Sequence, residues 1–385
     1  MARRATGWWV YAGESAGVIT PPRAVFTRPA EIDNGFYVVR VAGPDGWIIG
    51  ELQGLLESVS WRVDGYGAAS MLVPLETIVR TPYLLEFGNM VRIDFSNGLR
   101  SWAGVIDVPR EVTVGAIRIQ MYEASYMLGW RLATPGVMFE DNPQSAAVLI
   151  YALVGGADLP LDAMRNHTAG EPLSVEVGEE SRLAAVERVR SLDPDVHYDV
   201  WGGSWSDPHI RPTVRIFREY WSDDTADAVL LQGYNLAEVS MMEQGPIWNR
   251  MHVKAKMPAD VIGETQERYE RFTADNLYSQ PRHAMRETLV TLPDVDEDVS
   301  EWYATRYAQT QVDLLATARR RVGGTSLNLA PALWRNFTTG SKVRIESYSP
   351  APMAMEATVL GLEYSPAAGR MVLIFDDVAT TMFTR

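Results

Sequence analysis

The chain has 385 residues, 46% of them hydrophobic and 22% charged, which is the composition of a globular protein and excludes disordered and collagen-like chains. Thirty-five Lys and Arg residues against 49 Asp and Glu residues give a formal net charge of −14, which argues against a surface built to neutralise nucleic-acid phosphates. The absence of cysteine excludes disulfides, thiolate zinc sites, iron–sulfur clusters and a cysteine nucleophile. At about 150 residues per domain, the length predicts two or three domains.

The sequence indicates neither a membrane span nor a secretory signal. The longest apolar run, Ser145–Val154, has about half of the roughly 20 residues that a membrane helix needs. The N-terminus opens Met1-Ala-Arg-Arg4, and no apolar stretch follows it. We therefore expect a soluble chain that is made in a cytoplasm and has no stable membrane span.

Residues 1–46 are predicted to form an extended N-terminal arm. They are rich in Gly, Pro and Arg, yet they include aromatic runs such as Trp8-Trp9-Val10-Tyr11. A disordered segment rarely carries so many aromatic residues. We therefore expect the arm to pack across a subunit boundary or onto a neighbouring ring of another protein, and the alternative is a strand added within its own chain.

Residues 47–123 carry the strongest strand signal. Leu55–Val63 alternates between apolar and polar residues, and the turn cluster Asp64–Gly67 returns the chain into Ala69–Pro74, which predicts a β-hairpin. Gly88–Phe95 begins a second pair of alternating strands. Five or six antiparallel strands with short turns are enough to form a small barrel, so the segment is predicted to be a first β-barrel.

Residues 124–232 are predicted to be a peripheral α+β module, because the hydrophobic period changes there. Pro143–Gly155 and Ser181–Leu192 have helical patterns, and Asp193-Pro194 ends the second one. Strands are predicted at His197–Trp201 and Thr213–Trp221.

The remainder of the chain is predicted to contain a second β-barrel and two other segments. The predicted segments are the second barrel at 233–257 plus 323–378, a polar surface excursion at 258–297, and a long helix at 298–322 that ends at Gly323-Gly324. Gly340–Glu346 shares with Gly88–Asp94 its first Gly, a central Val-Arg-Ile and a final acidic residue. This match suggests an internal duplication of the two barrels.

No catalytic, cofactor-binding or metal-binding residue is predicted. The histidines are separated from one another by more than ten residues, and no His-Glu-x-x-His pair occurs; they are His167, His197, His209, His252 and His283. The acidic clusters Asp193–Asp195 and Asp294–Asp298 lack the Asp-x-Asp-x-Asp-Gly calcium loop. A carboxylate pair for glycoside hydrolysis has no fixed spacing, so the sequence alone leaves catalysis open. The 12 tryptophans are spread over the whole chain, which is more typical of cores and interfaces than of a sugar-binding platform.

One combination of motifs resembles a known family. Ser58–Pro74 resembles the opening hairpin of the tail hub proteins of long-tailed phages, which are related to the baseplate hub of contractile phages and to the N-terminal part of type VI spike proteins. Asn89–Phe95 with Trp102–Asp107 is similar to the next pair of barrel strands in that family, and Leu231–Leu236 with Asn249–Val253 to the entry into its second barrel. The resemblance covers most of residues 50–378.

The resemblance implies a mainly β fold with α+β insertions, in which two tube-type antiparallel β-barrels carry peripheral modules. It implies a non-enzymatic structural protein of the virion, at the tail tip or baseplate, assembled in the host cytoplasm. Such hubs are homotrimeric rings that adapt the sixfold tail tube to a threefold tip and surround the channel through which DNA is ejected. The net charge of −14 fits an acidic channel wall that repels phosphate, although acidity also serves solubility.

The implied partners are two further copies of the chain, a distal tail or tail-tube ring protein, a tape measure protein, and a central spike or fibre protein. DNA would pass through the ring without sequence-specific binding, and no cofactor is implied. Two other functions stay open at this stage, namely a tail-associated cell-wall hydrolase with its site in 124–232, and a carbohydrate-binding receptor module. The sequence does not identify the host, its receptor, the docked spike or fibre, the channel-lining residues, or whether the tail contracts.

Overall fold

The structure is a computed structural model, and it describes most of the chain from residue 36 onward. The described residues are 36–96, 99–113, 115–134, 136–138, 144–166, 170, 172–173, 175–204, 206–218, 228–233, 236–244, 247–257, 268–292, 301–316, 319–326, 338–347 and 353–375. No helix in these ranges is long and apolar enough to cross a membrane.

Strands predominate among the described residues. In chain order they are β1 (Tyr37–Ala42), β2 (Ile48–Glu51), β3 (Leu55–Arg62), β4 (Ala68–Pro74), β5 (Met90–Phe95), β6 (Trp102–Thr113), β7 (Ala116–Glu123), β8 (Gly136–Met138), β9 (Asp162–Arg165), β10 (Val175–Val177), β11 (Val196–Trp201), β12 (Thr213–Arg218), β13 (Ala228–Leu231), β14 (Glu238–Gln244), β15 (Arg250–Met257), β16 (Arg268–Asp275), β17 (Glu287–Thr291), β18 (Arg319–Ser326), β19 (Lys342–Ser347), β20 (Met353–Ser365) and β21 (Arg370–Phe375). The α-helices are α1 (Leu75–Arg80), α2 (Ala146–Gly155), α3 (Arg182–Leu192), α4 (Gln280–His283) and α5 (Glu301–Leu315), and Pro82–Leu85 and Ala124–Trp130 form 3-10 helices. The predicted mainly β fold with α+β insertions is confirmed.

Thirteen strands form one large sheet. Its order is β14-β18-β21-β20-β3-β4-β7-β6-β5-β1-β2, and β19 and β13 extend it from β20. All of its pairs are antiparallel except β13 with β19. We call β1–β7 the first β unit, and β13, β14 and β18–β21 the second β unit. The two units join where β20 pairs with β3. Among the described residues this path of strands is open, so the closure of two barrels stays a prediction.

The same pairing order occurs in both units. β3-β4-β7-β6-β5 in the first unit corresponds to β14-β18-β21-β20-β19 in the second. The shared sequence motif lies in equivalent strands, β5 and β19. In both units the fourth strand also carries a shift of register, between Asp107 and Glu111 in β6 and between Val359 and Gly361 in β20. The topology therefore supports the internal duplication independently of the seven-residue match.

A single hydrophobic core lies against one face of both units. Trp61 and Trp102 are fully buried in the first unit, and they belong to the same cluster as Leu362 and Phe375 of the second. Alternate residues of a strand point to opposite faces, so the alternation in β3 places Val59 and Trp61 in this core. The joint between the units is therefore a continuous sheet over a continuous core.

The segment predicted as an α+β module contains helices and strands that share one hydrophobic core, and this core also includes Met90 and Val105 of the first β unit. β11 pairs antiparallel with β12, which pairs parallel with β9, and α2 and α3 pack together beside this sheet. Ser181 caps α3 because its hydroxyl accepts a hydrogen bond from the amide of Ala184 at 3.2 Å. Both predicted helices occur within one to three residues of their expected starts.

The predicted second barrel included residues 250–257, but the structure places them elsewhere. β15 pairs with β16 and β17 in a separate three-stranded sheet. Its buried residues Met251, Val253 and Ala255 form a third core together with α5, which explains why β15 leaves the large sheet. The predicted surface excursion at 258–297 thus supplies two strands of this sheet.

Three further boundaries differ from the predictions. α5 ends at Leu315, and Gly323-Gly324 lies inside β18 because that segment pairs with β14 and β21. β13 belongs to the second β unit, although it falls within the predicted module at 124–232. Residues 37–42 of the predicted arm form β1, paired with β5 and β2. That part of the arm is an intramolecular strand, and residues 1–35 lie outside the described residues.

Candidate functional site: buried polar junctions and open sheet edges

A buried carboxylate holds three parts of the chain together. Asp199 on β11 is fully buried, and it accepts hydrogen bonds from Arg215 of β12, from Arg100 between β5 and β6, and from the hydroxyl of Thr339 before β19. The Arg100 and Thr339 contacts are both 2.9 Å long. Arg100 also donates to the hydroxyl of Thr338 at 3.1 Å. The module and both β units therefore meet at one ion-paired cluster.

The pKa of Asp199 reflects two opposing effects. Burial alone would raise it, because a low-dielectric interior disfavours the charged form. The charges of Arg100 and Arg215 and their hydrogen bonds outweigh burial, so the pKa of Asp199 is lowered. The carboxylate thus stays ionised as the partner of two buried guanidinium groups.

The pKa of Glu123, at the end of β7, is shifted in the opposite direction. Glu123 is 1% exposed, and its Oε2 accepts a hydrogen bond from the amide of Gly67 at 2.8 Å. Burial raises the pKa of Glu123 to about 8, because the charge of Arg100 offsets the desolvation only in part and Asp199 adds repulsion. A raised carboxyl pKa is also a property of catalytic acids. Here the group is enclosed between strands, so we interpret it as a structural acid.

A second ion pair fixes the module to the first β unit. Arg92 on β5 is fully buried and donates to Asp94 at 3.1 Å and to the carbonyls of Asp207 and His209 at 3.1 and 3.2 Å. Ser101 donates to the other oxygen of Asp94 at 2.7 Å. The loop between β11 and β12 is therefore held against the first β unit by main-chain contacts to a buried arginine.

In the first β unit, the part of the sheet that faces away from the hydrophobic core and is exposed carries polar side chains. Arg118 on β7 donates to Glu57 at 2.7 and 3.0 Å and also contacts Glu111, and Ser70 donates to Glu57 at 2.8 Å. The hydrogen bond from Arg118 is the main reason that the pKa of Glu57 is lowered. We call these four residues the polar sheet face. Its cation is already paired with two carboxylates.

Several stretches of strand edge in the large sheet have no strand partner among the described residues. They include the outer edge of β14, the outer edge of β6 beyond its pairing with β5, and the outer edge of β13, which pairs with β19 alone. Val112 in the open part of β6 is 72% exposed. The opposite end of the sheet differs, because the amide of Ile48 in β2 donates to the carbonyl of Pro208 at 3.3 Å, which covers part of that edge.

Among the side chains that the structure describes, the histidines and acidic residues singled out in the sequence do not come together; the side chain of His283 lies outside them. Nδ1 of His197 lies 2.5 Å from Asp64, His209 packs its ring against Trp47, and Nδ1 of His252 lies 2.8 Å from the hydroxyl of Thr273. The described residues contain no group of three metal-ligating side chains. Asp193 is bound by Arg218 at 2.6 Å, whereas His167 and Asp294–Asp298 lie outside the described residues.

The residues that do form junctions were not identified from the sequence. Arg100 is 99 positions from Asp199 and 239 from Thr339. No local spacing rule joins such distant residues. The one available signal is an isolated charge between apolar residues of a strand, as in Val196–Trp201, where Asp199 stands between Tyr198 and Val200 and is buried with them.

The comparisons with known proteins concern the fold. Neither a family model nor a curated protein sequence matches the chain. Among solved structures, a 43 kDa tail protein of prophage MuSo2 from Shewanella oneidensis is 14% identical with a TM-score of 0.56, and the match covers 89% of this chain and 98% of that one. A tail protein from Neisseria meningitidis is 11% identical with a TM-score of 0.56, covering 88% and 96%.

A third structure extends the comparison beyond phages. An Escherichia coli component of the type VI secretion system, described as structurally similar to tail proteins of bacteriophage T4, is 8% identical with a TM-score of 0.50, covering 88% of this chain and 76% of that one. Identities this low establish the fold alone. These matches show that the chain has the fold of these phage tail proteins, and that the type VI secretion component has a similar fold.

Proposed function

We propose that this chain is the structural hub of a phage tail tip or baseplate, and that three copies form a ring between the sixfold tail tube and a threefold tip. The observation that carries the proposal is the presence of two β units with one pairing order in a single chain. Three such chains contain six similar β units. One side of the ring can therefore match a sixfold tube, while features present once per chain, such as the α+β module, display threefold symmetry.

The ring would surround the DNA exit channel, with the polar sheet face toward its interior. The hydrophobic core occupies the other face of the same sheet, which supports this orientation. Arg118 is already paired with Glu57 and Glu111, so phosphates would meet no clustered free cations there. The net charge of −14 adds a general repulsion that lets DNA pass without sticking.

The proposed partners follow from this position in the virion. The tail-tube or distal tail ring and the tape measure protein would contact the sixfold side, and a central spike or fibre protein would contact the threefold side. The chain would be assembled in the host cytoplasm. The buried junctions at Asp199 and Arg92 would keep the module in a fixed orientation on the ring.

The mass of the purified chain in solution tests the ring. Light scattering coupled to size exclusion should give three times 42.9 kDa, about 129 kDa, and images of the particles should show a ring with threefold symmetry. A monomer or a dimer at all concentrations would contradict the proposal.

The proposed hub is non-enzymatic, and this has its own test. The purified chain should release no soluble fragments from bacterial cell walls. Reproducible release that is lost on substituting one acidic residue within 124–232 would instead favour the cell-wall hydrolase.

A further inference from the structure

We infer that the small sheet of β15, β16 and β17 docks on the surface of an anionic lipid membrane. One face of this sheet packs against α5. The opposite face, here called the outer face, consists of every second residue of the three strands, beginning at Arg250 in β15, Tyr269 in β16 and Glu287 in β17. Most of these side chains are exposed. The inference goes beyond the proposed hub and does not depend on the ring.

The outer face is positively charged, although the chain as a whole is strongly acidic. Its cations are Arg250, Lys254, Lys256 and Arg271, and its carboxylates are Asp275 and Glu287. Both carboxylates are bound by Arg250, at 2.6 and 3.1 Å. The whole chain contains three lysines, and two of them lie on this face. The net charge of −14 therefore conceals a local cationic surface.

Two of these cations lie directly opposite each other. Lys254 and Arg271 form a cross-strand pair, both are exposed, and neither forms an ion pair with a described carboxylate. Like charges at opposite positions of two strands destabilise a sheet. Nζ of Lys254 lies 4.5 Å from the centroid of the Tyr269 ring, a cation–π contact that keeps the ammonium group at the sheet surface. An anionic partner would neutralise both cations and remove their repulsion.

Exposed apolar side chains lie at the other end of the same sheet. Tyr278, in the turn after β16, is 91% exposed, the highest value among the large hydrophobic side chains that the structure describes, and Leu277 beside it is 69% exposed. The half-exposed Met285, just before β17, lies at the outer face, because its sulfur is 3.2 Å from Nη1 of Arg250. Leu289 is a half-exposed apolar residue within this face. Cations attract anionic headgroups and exposed apolar side chains enter the lipid interface, so the combination favours a membrane over a soluble polyanion.

Co-sedimentation of the full chain with lipid vesicles tests the inference. The chain should bind vesicles of phosphatidylglycerol mixed with phosphatidylcholine at least tenfold more tightly than vesicles of phosphatidylcholine alone, and salt at about 0.5 M should release it. Arg271→Glu should weaken the binding at least tenfold, because it removes one cation and neutralises Lys254. The same substitution should leave the melting temperature unchanged or higher, since it replaces a repulsion by an attraction. Arg80→Glu is the control, because it makes the same change of charge at an exposed arginine of α1, and it should retain the binding.

The absence of native cysteine allows a single reporter at the apolar end of the sheet. Tyr278→Cys, labelled with a polarity-sensitive dye, should show a blue shift of its emission when the anionic vesicles are added. The same label at Val79→Cys, whose native side chain is 81% exposed in α1, should show no shift.

Three outcomes would contradict the inference. They are equal binding of the two kinds of vesicle, undiminished binding by Arg271→Glu, and an equal blue shift at both labelled positions. Binding of duplex DNA or poly-glutamate without binding of the vesicles would identify a soluble polyanion as the partner and would also overturn the membrane docking. A trimer that ignores the vesicles leaves the proposed hub in place, whereas a monomer that binds them supports the docking and contradicts the ring.

Discussion

Replacing Glu123 by glutamine should stabilise the folded chain at neutral pH. The carboxyl is 1% exposed, and its pKa is raised to about 8 from an ordinary value of 4.5. Glutamine has nearly the same shape, and its side-chain oxygen can still accept the hydrogen bond from the amide of Gly67. The substitution therefore removes the titration while leaving the packing and this hydrogen bond in place.

The sign and size of the effect follow from proton linkage. Between pH 4.5 and 8 the folded chain keeps the proton on Glu123, whereas the unfolded chain releases it, so the folded state binds more protons and its stability falls as the pH rises. At about 1.4 kcal/mol per pKa unit, keeping this proton costs roughly 3 kcal/mol at pH 7 and about 5 kcal/mol at pH 8 and above. Glutamine avoids that cost. Its advantage should disappear near pH 4.5.

Urea unfolding followed by tryptophan fluorescence at a series of pH values measures this difference. Trp61 and Trp102 are buried in the core and should report the loss of the sheet. Glu86→Gln, an exposed glutamate outside the helices and strands, controls for the loss of one negative charge. If the free energies of unfolding of the Glu123→Gln variant and the native chain change in parallel from pH 5 to pH 8.5, Glu123 is not held protonated and the reasoning is refuted.

Other substitutions test the junctions and the close strand contacts. Asp199→Asn should lower the free energy of unfolding by about 3–5 kcal/mol, because it leaves Arg100 buried without its carboxylate. This loss should shrink toward low pH as the native Asp199 becomes protonated. Urea unfolding at neutral and at low pH measures the loss and its pH dependence. Gly67→Ala should greatly reduce the yield of folded protein, since the added Cβ would lie 1.9 Å from a carbonyl oxygen of β3. Gly65→Ala is the control, because a Cβ there has no atom within 4 Å and should have little effect. Circular dichroism and the melting temperature distinguish the two variants. Trp102→Phe removes an indole hydrogen bond of 2.9 Å to β3 and should cost about 1–3 kcal/mol in thermal or urea unfolding, and an unchanged stability would contradict the role of that bond.

The sequence by itself determined the local elements and the duplication. Alternation in Leu55–Val63 predicted β3, and the helical pattern after Ser181 predicted α3. The two Val-Arg-Ile motifs marked β5 and β19, which are equivalent strands of the two units. These features are local, because the side-chain period and the capping residue are set by neighbours along the chain.

The tertiary structure alone decided which elements became partners. Gly323-Gly324 is typical of a helix end, yet hydrogen bonding to β14 and β21 makes it part of a strand. β15 alternates like any half-buried strand, but its buried residues pack against α5, so it belongs to a separate sheet. Asp199 and Glu123 are two acids among 49, and they acquired opposite pKa shifts from the segments that surround them. Alternation specifies that a strand has an apolar face, but any apolar surface of matching shape satisfies it, so the choice of partner depends on contacts between residues that are distant along the chain.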